Sequence, residues 1–239
     1  VNVVAHAFVR AALRVIAAFL LGATALVAAG SLAGAFSSLR PELGESTRWI
    51  VALANHTGML LASFVLALVL SRGRISAYGF RMPTHFPLAR IAVLSCGISA
   101  LANVAGRFLL EEGLPFLESY SFVQTILLVW IYASLAEEVL ARGLVQSFLA
   151  PLAERGLAVG KLRLSVPVLA GAAFFGGMHL MLLTMGIDPR TVLFIVAFTF
   201  VGGLVAGYYR EQTDSLIPAV VAHSLLNVTG SILGLLWQS

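Results

Sequence analysis

The sequence predicts an all-α protein: a polytopic transmembrane helical bundle of about seven spans, within a range of six to eight. Three observations predict it. The first is composition. The 239 residues are 59% apolar and 11% charged, with a mean hydropathy of +0.96. A soluble globular chain carries about 25% charged residues, so this one cannot cover a soluble surface of its size. The second is segment length. Windows of about 20 apolar residues with few charges recur, enough for a helix to cross a hydrocarbon core of about 30 Å. The roughly 10-residue alternating segments of a membrane barrel are not seen. The third is the placement of charge. Fourteen of the fifteen basic residues are Arg, and Lys161 is the other; most lie between the apolar windows.

Taken in order, the spans are expected at residues 11–36, 49–70, 88–110, 121–150, 166–185, 191–209 and 215–237. Arg10 and Arg14 precede the first. Its apolar part runs well past the 7–15 residues of a secretory signal core, so a retained helix is expected. The fourth span is expected to stop before Pro151, because proline cannot continue a helix. Asp188-Pro189 separates the fifth span from the sixth. Gly30-x-x-x-Gly34, Gly203-x-x-x-Gly207 and Gly230-x-x-x-Gly234 have the spacing of close helix packing.

The basic residues also set an orientation. With the N-terminus inside, ten fall in inside regions: Arg10, Arg14, Arg72, Arg74, Arg81, Arg90, Arg155, Lys161, Arg163 and Arg210. Four fall outside: Arg40, Arg48, Arg107 and Arg190. That bias predicts a cytoplasmic N-terminus in the plasma (inner) membrane. The net charge of +4 is thus a topology signal, and no nucleic-acid partner is expected. Cys96 is the single cysteine, so neither an intrachain disulfide nor a cysteine metal cage can form.

One stretch breaks the apolar pattern. Glu137, Glu138 and Arg142 sit inside the fourth span, where each charge costs roughly 2.5–3.5 kcal/mol on insertion scales. Glu138 and Arg142 are four apart and can pair. Glu137 is rotated by about 100° from Glu138 on an α-helix, so it needs another partner. Two later spans supply candidates. Phe175 and His179 share one face of the fifth span, and His223 and Asn227 share one face of the seventh.

This set suits peptide hydrolysis. A carboxylate in a low-dielectric cavity becomes a better general base, and a histidine beside it orients a water. A second histidine and an amide donate to a developing oxyanion. Gly-x-Ser-x-Gly and His-Glu-x-x-His are both absent. Taken singly, the pieces have plainer readings: a structural Glu138–Arg142 pair, interhelical bonding by His223 and Asn227, a core histidine at His179. His6, His56 and His85 lie near termini or loops and are read as non-catalytic. Glu111, Glu112 and Glu118 read as a solvated external face. Two other classes use the same residues: a non-catalytic immunity or scaffold protein, and a small transporter. The transporter ranks lower because no inverted repeat is visible.

The three motifs in this order, Glu137-Glu138-x-x-x-Arg142, Phe175-x-x-x-His179 and His223-x-x-x-Asn227, resemble the type II CAAX prenyl endopeptidases. This family, also called CPBP, includes bacteriocin-processing and immunity proteins. Asp214 to Ala219 resembles the family's approach to its last motif. The resemblance spans about residues 121–231. It divides the chain into N-terminal helices without a signature (1–120) and a CAAX-protease-like catalytic region (121–239).

The resemblance implies an intramembrane endopeptidase acting on a membrane-associated peptide or protein, prenylated for some members. It implies that Glu137 activates water with His179, that His223 and Asn227 form the oxyanion hole, and that Glu138, Arg142 and Phe175 order the site. The family has been called metalloprotease, but its site looks closer to a metal-free, glutamate-dependent one. No cofactor is expected. The alternative is zinc held by Glu137, His179 and His223.

Overall fold

A computed structural model describes residues 2–39, 48–110, 120–160 and 162–236. Seven helices in it are long and apolar enough to cross a membrane. They are α1 (Asn2–Leu39), α2 (Arg48–Leu70), α3 (Leu88–Leu109), α4 (Phe122–Gln146), α5 (Val166–Met178), α6 (Pro189–Thr213) and α7 (Ile217–Leu236). Helix α5 runs on as 3₁₀ turns over His179–Met185. The all-α membrane bundle expected from composition is the fold. Expectations for Arg40, Lys161, Glu111, Glu112, Glu118 and Trp237 lie outside the described residues.

Local chemistry sets several of the helix ends. Ser121 and Gln124 form a capping box at the start of α4. Ser165 caps α5 by accepting from the Val168 N–H, with Pro167 in the first turn. Asp188 caps α6 by accepting from the Thr191 N–H, with Pro189 at its first position. These side chains satisfy amides that have no partner within the helix. The fourth span ends before Pro151, as expected. The helix runs on through Ser147 and Phe148, a 3₁₀ turn covers Ala150–Leu152, and an antiparallel hairpin follows. Its strands are β1 (Gly156–Val159) and β2 (Leu162–Ser165). Gly160 in its turn takes φ +61°, a conformation costly for residues with a Cβ.

Helix α4 stands at the centre, in contact with α1, α2, α5 and α7. Helix α1 lies against α2 along small residues; Ala18, Ala25 and Ala29 are fully buried. A Cβ on Gly22 would fall 2.3 Å from the Phe174 ring, so only glycine lets α1 approach α5 there. Helix α3 packs on α7, where the Ser99 hydroxyl donates to the Leu226 carbonyl at 2.8 Å. Large apolar side chains such as Val65, Val93, Leu101 and Leu193 are more than half exposed. An outward apolar surface of this kind suits a lipid solvent.

Helix α4 is not a uniform α-helix. Thr125–Ala133 and Val139–Gln146 are π-helical, and Ser134–Glu138 between them is α-helical. A π turn widens the backbone and occurs often at functional sites. The Ser147 hydroxyl follows the wide turn by donating to the Arg142 carbonyl five residues back, at 2.7 Å.

Candidate active site

The α-helical stretch of α4 presents the two adjacent carboxylates in different directions. Glu138 is fully buried. Its Oε1 accepts from Arg142 Nη1 at 2.8 Å and faces His223 Nδ1 at 3.0 Å. Arg142 is also fully buried and gives its other terminal nitrogen to the Gly203 carbonyl at 3.0 Å. Its guanidinium lies 4.4 Å from the Phe175 ring centroid. Charge, carbonyl and aromatic face together offset the desolvation of this ion. The Phe175 ring also meets the His179 and His223 rings edge-on, at 5.3 and 5.2 Å between centroids.

Glu137 is the more open carboxylate, with 15% of its side chain exposed. Its Oε2 lies 3.9 Å from His223 Nε2, and its Oε1 lies 3.5 Å from His56 Nε2. Glu137 and His179, expected to act together on a water, make no direct ion pair within 4.0 Å. His179 stands within coulombic range of Glu137 and His223, and its Nδ1 is held by the Phe175 carbonyl at 2.8 Å. A carbonyl only accepts, so that nitrogen carries the hydrogen and Nε2 is the ring's free base.

Asn227 lies one turn beyond His223. Its Nδ2 donates to the Val129 carbonyl and to the Ser134 hydroxyl, both at 3.1 Å. In this conformation both amide hydrogens tie α7 to α4. Donation to an oxyanion requires the release of one of them.

Three features were not expected from the sequence. His56, read as lying near a terminus or loop, is inside α2 and beside Glu137. Its signal was the one used for His179 and His223: a histidine within an apolar span. Gln146 is buried and donates to the Gly207 carbonyl at 2.9 Å, four residues on from the Arg142–Gly203 contact. Its i+4 spacing from Arg142 could have revealed it. Arg210, counted among the loop cations, is buried at the end of α6 and donates to the Ser147 hydroxyl at 2.7 Å.

Among the described residues, no group of three or more His, Cys, Asp or Glu side chains is arranged to hold a metal ion. The set Glu137, His179 and His223 does not form such a group.

Fold and site together define an integral membrane protein with a charged, hydrogen-bonded polar centre closed inside a helical bundle. Residues 119–229 match the family model described as type II CAAX prenyl endopeptidase Rce1-like. Over this stretch, just under half of the chain, the sequence is similar to that family. No curated protein and no solved structure matches the chain.

Proposed function

We propose that the protein is an intramembrane endopeptidase in which Glu137 activates the hydrolytic water. One observation carries the reading. Glu137 is the partly exposed carboxylate, with no donor among the described residues closer than 3.5 Å, while its buried neighbour Glu138 is held by Arg142 and His223. The family match over residues 119–229 supports the reaction class.

In the proposed reaction, water adds to the scissile carbonyl as its proton passes to Glu137, with His179 Nε2 orienting the water. The carbonyl π pair moves onto oxygen. The oxyanion is met by His223 Nε2 and the Asn227 amide. Since Glu138 occupies His223 Nδ1 and accepts from it, an Nε2–H donor requires a ring that carries both hydrogens. Collapse of the intermediate breaks the C–N bond, and the proton held by Glu137 goes to the departing amine. Residues 121–239 act as the catalytic region on a membrane-associated peptide or protein.

The test is Glu137→Gln in reconstituted protein, which keeps the shape and removes the base. Cleavage should fall by at least about 1000-fold while the protein still inserts and folds. Cleavage at the wild-type rate would sink the assignment. The proposed base is a side chain, so full activity is expected after chelation verified by metal analysis.

A further inference from the structure

The family region begins at residue 119, and the motif residues all lie inside it. The imidazole nearest to Glu137 comes from outside it. His56, on α2, places Nε2 3.5 Å from Glu137 Oε1, against 3.9 Å for His223 Nε2 to Oε2. We propose that His56 is a positioning residue of this site, holding Oε1 of Glu137 so that Oε2 faces the water. The proposal rests on the reading of Glu137 as base.

The placement of His56 is built. Its Nδ1 meets the Ala52 carbonyl one turn back at 2.8 Å. That acceptor fixes both the ring and the tautomer, and Nε2 is the nitrogen that remains for Glu137. The next residue fastens α2 to α4 at the same level: Thr57 Oγ1 donates to the Leu53 carbonyl at 2.7 Å and lies 2.8 Å from the Tyr132 hydroxyl. With 22% of its side chain exposed, His56 borders the open side of Glu137. Histidine in an apolar span is rare without a role, and its default reading is functional.

The chemistry follows from the tautomer. With Nδ1–H given to a carbonyl, contact between Nε2 and a carboxylate requires one proton shared between them: imidazolium against carboxylate, or imidazole against carboxylic acid. In the first form His56 holds the ionised Glu137 in one rotamer. Glu138 cannot substitute, because it is fully buried and fixed through Oε1 by Arg142 and His223. His56 keeps its own proton through the reaction. The water proton travels by way of Glu137 Oε2 to the amine.

The experiment compares His56→Leu and His56→Gln in full-length protein in liposomes. The probe is a quenched fluorescent peptide ending in a prenylated cysteine motif. Gln places an N–H donor near the position of Nε2, and Leu places none. His56→Leu should lower kcat by about 100-fold, the scale of a misplaced catalytic group. KM should stay within about threefold, as for an interaction made mainly in the transition state. His56→Gln should recover most of the loss. Wild-type kcat in His56→Leu, or equal loss in both variants, would overturn the proposal.

A second readout needs no substrate. In ¹⁵N-histidine spectra of the micellar protein, the His56 Nε2 signal is the one missing from His56→Gln. Glu137→Gln should shift it, and an unmoved signal also overturns the proposal. Failure of the parent reading looks different: Glu137→Gln then cleaves at the wild-type rate, while the spectra still report on the pair.

Discussion

A single oxygen, Oε1 of Glu138, accepts from Arg142 and faces His223. Removing it strands a guanidinium that is 0% exposed. Glu138→Ala should therefore destabilise the fold by about 3–5 kcal/mol, the scale for breaking a buried ion pair from one side. Glu138→Gln keeps an acceptor and should cost less. Thermal unfolding in one detergent compares the two. The i,i+4 spacing made this pair legible in the sequence. The partner of Glu137 was not, because nothing in the chain order links residue 56 to residue 137. The hydrogen bonds of Asn227 depended on the wide turns of α4 and had no signature either.

At the scale of elements, equal spacings do unequal things. On Gly203 a Cβ would lie 3.0 Å from Arg142 Nη2 and 3.1 Å from the Ala172 backbone. On Gly207 it would lie 2.9 Å from Gln146 Oε1. This pair lets α6 approach so closely that its carbonyls receive the two buried α4 side chains. On Gly30 and Gly34 a Cβ would meet nothing within 4 Å. Gly203→Ala should destabilise by about 1–3 kcal/mol through overpacking and slow cleavage by displacing Arg142. Gly30→Ala should be neutral or slightly stabilising, since alanine favours the helix. Parallel melting curves and rates check both. The helices themselves were legible from length and hydropathy. The π turns of α4 and the hairpin after it were not: their segments carry no periodicity that departs visibly from a helix or a loop.

For the whole molecule, orientation is the open variable. Arg10, Arg14 and Arg155 line one cavity of about 240 Å³ at the end of the bundle where α1 starts and α4 stops. Arg14 donates to the Phe148 carbonyl at 2.9 Å, and Arg155 donates to the Ala7 carbonyl at 3.2 Å. We propose that this end is cytoplasmic and that the host is the plasma (inner) membrane, because arginines near span ends favour the inside. Reporters inserted at Gly160 and at Gly186 should then read inside and outside respectively. The reverse pattern would reject the assignment.

The order in which the ribosome delivers the site has its own consequence. Its side chains arrive from α2, α4, α5 and finally α7, with His223 and then Asn227 the last. At about 5–20 residues per second, several seconds separate the emergence of Glu137 from that of His223. Throughout that interval the carboxylates lack their last imidazole partner, and Arg142 lacks the carbonyl on α6 until that helix follows. On the proposed mechanism, a nascent chain stalled before α7 lacks both oxyanion donors and should not cleave its neighbours in the translocon.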